Sequence, residues 1–126
     1  MSNDAKRPQH PIINELAQFT GTENWYRHAI NRKVLFTDGV KFLADRTGAY
    51  WLIDEIAIIQ PYEARVSAQE FQVWKLKVSE DHSAVLTCGD GNDHVVFAKR
   101  ISFTDFPLEE ITLWFTDNTV LLPSEY

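Results

Sequence analysis

The chain has 126 residues and a mass of 14.6 kDa, 44% of it hydrophobic and 13% aromatic. That is enough for one domain that buries roughly two-thirds of its unfolded surface, and it excludes disorder and a disulfide-stapled miniprotein. Eighteen acids against twelve bases give a net charge of −6, which argues against sequence-independent duplex binding, because that affinity comes from neutralised phosphates. The one cysteine, Cys88, cannot form an internal disulfide and points to a reducing, cytoplasmic setting.

Residues 1–10 are polar, contain Pro8, and are expected as a flexible arm without the apolar stretch of a secretion signal. Pro11 suits a first helical position, and Ile12, Ile13, Leu16 and Phe19 follow at helical spacing. A helix of two to three turns should close there, with Gly21 as a left-handed cap. Residues 24–36 alternate without a cleanly polar face, which fits a strand or an irregular packed segment, and Val34-Leu35-Phe36 is a short strand. Thr37 or Asp38 can cap a helix that runs through Val40, Leu43, Ala44 and Thr47 to a stop at Gly48.

Ala49 to Gln60 predicts a third helix with Leu52, Ile53, Ile56 and Ala57 on one stripe. It is apolar nearly all round, as in a helix buried in the domain or in an oligomer contact. A buried strand is the alternative, and length favours the helix. Asp54 and Glu55 interrupt this run, and about a dozen residues fall short of the roughly twenty that a membrane helix needs.

From Phe71 the pattern changes to short runs rich in β-branched and aromatic residues: Phe71 to Val78, Ala84 to Cys88, His94 to Ile101, Ile111 to Phe115 and Thr119 to Leu122. Hairpin-length turns separate them, Asp90-Gly91 among them. Helical runs followed by strand runs, with no parallel βαβ alternation, predict an α+β fold. N-terminal helices should pack on a C-terminal antiparallel sheet, a meander of about four to five strands, within a single domain spanning 1–126.

Phe-Thr-Asp recurs at 36–38, 103–105 and 115–117. The plain reading is a turn or cap at an element end, since Thr and Asp accept backbone N–H bonds. Three aspartates gathered around a metal is the sharper one.

Cys88 and His94 flank the loop Gly89 to Asp93. Facing each other across a regular hairpin, they would make a thiol–imidazole pair, with Asp90 or Asp93 orienting the ring. A buried cysteine beside a surface histidine is the structural alternative. Asp90-Gly91-Asn92-Asp93 offers oxygen ligands but misses the EF-hand spacing, and His82, Cys88 and His94 lack the paired spacing of a zinc site. No metal or cofactor is expected.

Glu23, Trp25, Tyr26, Arg27 and His28 form a polar-aromatic group able to grip an anion or a planar ligand. If Asp54 projects from the third helix toward His28, the two become an acid/base couple, with Arg27 at the same pocket. Packing of Arg27 over rings, with Asp54 bridging nearby, is the plain alternative. Four tryptophans and eight phenylalanines are many for this core. Alternation sets Trp114 opposite Ile111, Leu113 and Phe115, and sets Trp74 opposite Phe71 and Val73. Both sheet faces are then apolar, one covered by helices and the other by a partner, with Trp74 and Trp114 at that interface. Lys75, Lys77, Lys99 and Arg100 are the local basic cluster, which admits single-stranded nucleic acid as a third class of ligand.

Phe19-Thr20-Gly21-Thr22, Trp25-Tyr26-Arg27-His28, Thr37-Asp38-Gly39-Val40, Trp51-Leu52-Ile53-Asp54, Phe71-Gln72-Val73-Trp74, Asp105-Phe106-Pro107-Leu108 and Leu122-Pro123-Ser124-Glu125-Tyr126 occur in this order. Taken together over residues 12–126, the chain resembles a family of small uncharacterised bacterial proteins, a domain of unknown function. The resemblance implies a self-contained domain and carries over no site. The residues themselves favour a non-enzymatic interaction domain, homodimeric through an aromatic sheet face. A small enzyme or anion-binding protein with Arg27, His28 and Asp54 at its pocket is the alternative.

Overall fold

The structure, a computed structural model, describes residues 10–126, so the arm expected over 1–10 lies, but for His10, outside the described residues. The elements are α1 (Ile12–Leu16), β1 (Trp25–Arg27), β2 (Leu35–Thr37), α2 (Asp38–Thr47), α3 (Tyr50–Ile59), α4 (Ala64–Ser67), β3 (Phe71–Val78), β4 (Ala84–Gly89), β5 (Val95–Ile101), β6 (Glu110–Thr116), β7 (Thr119–Leu121) and a closing 3-10 turn at Pro123–Glu125. Among the described residues this is an α+β fold with one seven-stranded sheet, ordered β1-β2-β7-β6-β3-β4-β5.

The sheet is larger than a C-terminal meander of four to five strands and differently wound. Only β3-β4-β5 is a meander; β6 returns to the other side of β3, and β7 turns back on β6. Two strands from the first third of the chain extend it, and β2 pairs with β7 in parallel through Leu35↔Thr119 and Phe36↔Val120. Periodicity shows which residues are strand-like, whereas partners distant in sequence are chosen by the fold as a whole, which is why this pairing escapes a local reading.

Strand alternation sorts the two faces. Gln72, Trp74, Leu76 and Val78 of β3 are buried, as are Ala84, Leu86 and Cys88 of β4, with Leu113 and Phe115 of β6 beside them. They join Leu43 of α2 and Leu52, Ile53 and Ile56 of α3 in one hydrophobic core, so the helices cover this face. Trp74 is 1% exposed, and its indole N–H donates to Gln72 Oε1 at 2.9 Å. Gln72 in turn exchanges amide hydrogen bonds with Gln60 and donates to the Val66 carbonyl, so the buried amide is fully satisfied. Tyr50 and Ile58 of α3 are exposed, so this helix is buried along its predicted stripe but not all round.

The helix ends show what local chemistry decides. Gly48 takes φ +75° and closes α2 with its N–H on the Ala44 carbonyl, as expected. Gly21 does not close α1, which stops at Leu16 with a right-handed cap at Ala17. The chain leaves early because residues 20–24 are drawn onto α2, as described below. Asp117 and Asn118, both at positive φ, form the two-residue turn between β6 and β7.

Candidate functional site

Among the described residues, the sheet face away from α2 and α3 is bare but for Tyr126 at one end. Phe71, Val73, Lys75 and Lys77 of β3, Val85, Thr87 and Gly89 of β4, and Thr112, Trp114 and Thr116 of β6 share it by register. Between them lies a shallow groove of about 520 Å³ lined by Val73, Lys75, Lys77, Thr87, His94, Thr112 and Trp114, with Asp93 at one end. One end carries a ring cluster: Trp114 meets Phe71 at 5.0 Å and Tyr126 at 5.4 Å, both edge-on, and Phe71 meets Tyr126 at 5.7 Å. Lys75 and Lys77 make no ion pair with any described residue. Lys99 points the other way and binds Glu55 of α3 at 2.7 Å. The expectation of two apolar faces is therefore corrected: lysines punctuate the bare one. Trp74 is also withdrawn from any interface, because its alternation phase puts it under the helices, and Trp114 alone of the pair faces outward.

His28 and Asp54 do meet, with Nε2 and Oδ1 2.7 Å apart; His28 is 4% exposed and the Asp54 side chain half-exposed. The other ring nitrogen, Nδ1, accepts the backbone N–H groups of Ile30 and Asn31 at 3.2 and 3.0 Å. A nitrogen that accepts carries no proton, so Nε2 is the one that donates to Asp54. Both nitrogens are thus spent inside the protein. Asn31 Nδ2 donates to the Ala57 carbonyl at 2.8 Å, so the β1–β2 loop is pinned to α3 at two points. Arg27 and Trp25 project from the opposite side of β1 to Tyr26, and Arg27 is engaged with the Arg32 carbonyl. The residues proposed to line one pocket are divided between two sides of a strand.

Cys88 and His94 do not pair. Cys88 sits opposite Phe97, on the covered face, fully buried, while His94 is exposed at the groove and bound to Asp90 Oδ2 at 3.1 Å. Burial pushes the Cys88 thiol up to about 12, the reverse of what a thiolate nucleophile needs. The alternation Ala84, Leu86, Cys88 already contained this answer. Asp90 is a turn residue: its carboxylate accepts the Asn92 and His94 N–H groups, and these bonds hold it below its ordinary value.

The residues least visible in the sequence converge on the start of α2. Thr37 Oγ1 accepts the Val40 N–H as the helix cap. Asp38 reaches outward instead, accepting the N–H groups of Glu23 and Asn24 at 3.0 and 3.1 Å and the Tyr26 hydroxyl at 2.9 Å. These donors hold its carboxyl down to about 2, the Glu23 N–H foremost. Thr22 Oγ1 accepts the Asp38 N–H at 2.9 Å. From the far end of the chain, Glu125 accepts the Thr37 hydroxyl at 2.6 Å and the Gly39 N–H at 3.0 Å. A Cβ on Gly39 would lie 2.6 Å from Leu122 Cδ1 and 2.8 Å from the Glu125 carboxyl carbon, so only glycine admits this approach. The Thr-Asp-Gly and Leu-Pro-Ser-Glu segments are one structural unit.

The Phe-Thr-Asp triplets stay apart in role: Thr37 caps a helix, Thr104 Oγ1 accepts the Phe106 N–H, and Asp117 turns a hairpin. Among the described residues no group of three His, Cys, Asp or Glu side chains is placed to hold a metal, and no helix is long and apolar enough to cross a membrane. Neither a curated protein nor a solved structure matches the chain. A family model does, over residues 10–126, and the chain belongs to that family, DUF6876, a family of unknown function.

Proposed function

We propose that the protein is a non-enzymatic binding domain whose working surface is the bare sheet face, and that its partner is anionic there. The observation that carries this reading is the pair Lys75 and Lys77: two lysines that form no ion pair with any described residue, on an inner strand of an acidic molecule, beside the Trp114 ring cluster. An aromatic wall with a few placed charges is the usual make-up of a binding site. Self-association through this face is the competing reading. A two-fold axis through the middle of β3 would set the lysines of one copy beside those of the other, and that like-charge contact opposes it.

The test is an amide-resolved NMR titration with tripolyphosphate, an anion that has neither bases nor peptide groups. Shifts clustered at Val73 to Lys77, Thr87, Thr112 and Trp114, and lost in Lys75→Glu/Lys77→Glu, are expected. Shifts scattered over the surface would sink the reading. So would light scattering that gives twice 14.6 kDa at every concentration, reverting to the single mass in Trp114→Ala.

A further inference from the structure

Resting on that reading, we infer that the bare face takes a single strand of nucleic acid, with phosphates along Lys75 and Lys77 and a base against the ring cluster of Trp114 and Tyr126. Four observations converge on it. The two lysines sit two residues apart on one strand, a step of roughly 6.8 Å, so they present a row of charge along β3 rather than one point. Arg100 stands across from Val85 on edge strand β5, a further cation on this side of the sheet though outside the groove itself. The rings lie at the end of that row, and Tyr126 is 76% exposed, leaving a π-face for a base. Thr87 and Thr112 flank Lys75 with hydroxyls able to meet phosphate or sugar oxygens.

Glu110 stands opposite Lys77, Asp93 closes one end of the groove and Asp90 is held by His94, so the attraction for an anion is local to the exposed lysine row, on a molecule of net charge −6. Two lysines suit a short single strand, whose lower charge density and exposed bases reward stacking; a duplex hides its bases and asks for more neutralised phosphates. An acidic peptide would satisfy the lysines but has no use for the rings.

The experiment is fluorescence anisotropy of a labelled short oligothymidylate, compared with labelled poly-L-glutamate of equal charge, at two salt concentrations. Oligothymidylate should bind more tightly than polyglutamate, and two phosphate contacts give a log–log salt slope of about −1.4. Lys75→Glu/Lys77→Glu should weaken binding by more than about tenfold, while Arg32→Glu/Lys33→Glu, the same charge change on the exposed β1–β2 loop, should weaken it far less. Trp114→Leu should cost about tenfold for oligothymidylate and leave polyglutamate unaffected. Thermal melting of each variant separates lost binding from lost folding. If polyglutamate binds as tightly as oligothymidylate, or if Trp114→Leu affects both alike, the nucleic-acid assignment falls while the anion-binding face stands. If neither polymer nor tripolyphosphate binds, both fall.

Discussion

Trp74 and Trp114 lie on adjacent strands, in neighbouring rows of the β3–β6 ladder, where Trp74 pairs with Leu113 and Val73 with Trp114. One step of register separates two very different fates. Trp74 is enclosed by the helices and has its indole N–H satisfied by a glutamine that is itself fully bonded. Trp114 is half-buried against two other rings, on the face opposite α2 and α3. Strand alternation alone assigns these roles, and a bulky residue type does not reveal which side of a sheet is spoken for.

Substitution of the two rings is the most direct way to break that contrast. Trp74→Ala empties the centre of the core and should cost about 3–5 kcal/mol in urea unfolding. Trp114→Ala loses ring contacts at a half-open surface and should cost about 0.5–1.5 kcal/mol. Equal losses would mean that the bare face is as structural as the covered one. The smallest expected effect lies away from both faces, at Asp38. Its folded carboxyl is depressed to about 2, below the ordinary 3.8, so its contribution is complete above pH 4 and is lost as pH falls through about 2. In Asp38→Asn the melting temperature should therefore vary less with pH across that window than in the parent protein. An identical acid profile would show that the clamp on residues 23–26 adds nothing to stability.

Much of this was legible locally. The alternation of Phe71 to Val78, the stop at Gly48 and the stripe of Leu52, Ile53, Ile56 and Ala57 each follow from period and end chemistry, and each stands in the structure. The site was harder to read. The sequence offers the His28–Asp54 contact as a conditional pairing, but its meaning depends on two backbone N–H groups that fill the other ring nitrogen, which no side-chain pattern announces. Gly21 looked like a helix cap because it follows an apolar stripe; the competing attraction is Asp38, sixteen and fifteen positions downstream of Thr22 and Glu23, whose carboxylate and N–H take hold of that segment. Contacts of this length answer to the tertiary fold, so the sequence shows the donors and acceptors without showing who meets whom.

The parallel seam between β2 and β7 has a consequence for how the molecule comes into being. Leu35 and Phe36 find their neighbours only at Thr119 and Val120, and the start of α2 receives its second cap only from Glu125. Because translation proceeds from the N-terminus, residues 35–39 must wait for these partners until residues 119–125 have been made. Contacts this distant in sequence are slow to form, so the seam that joins the two ends of the sheet belongs to the late part of folding.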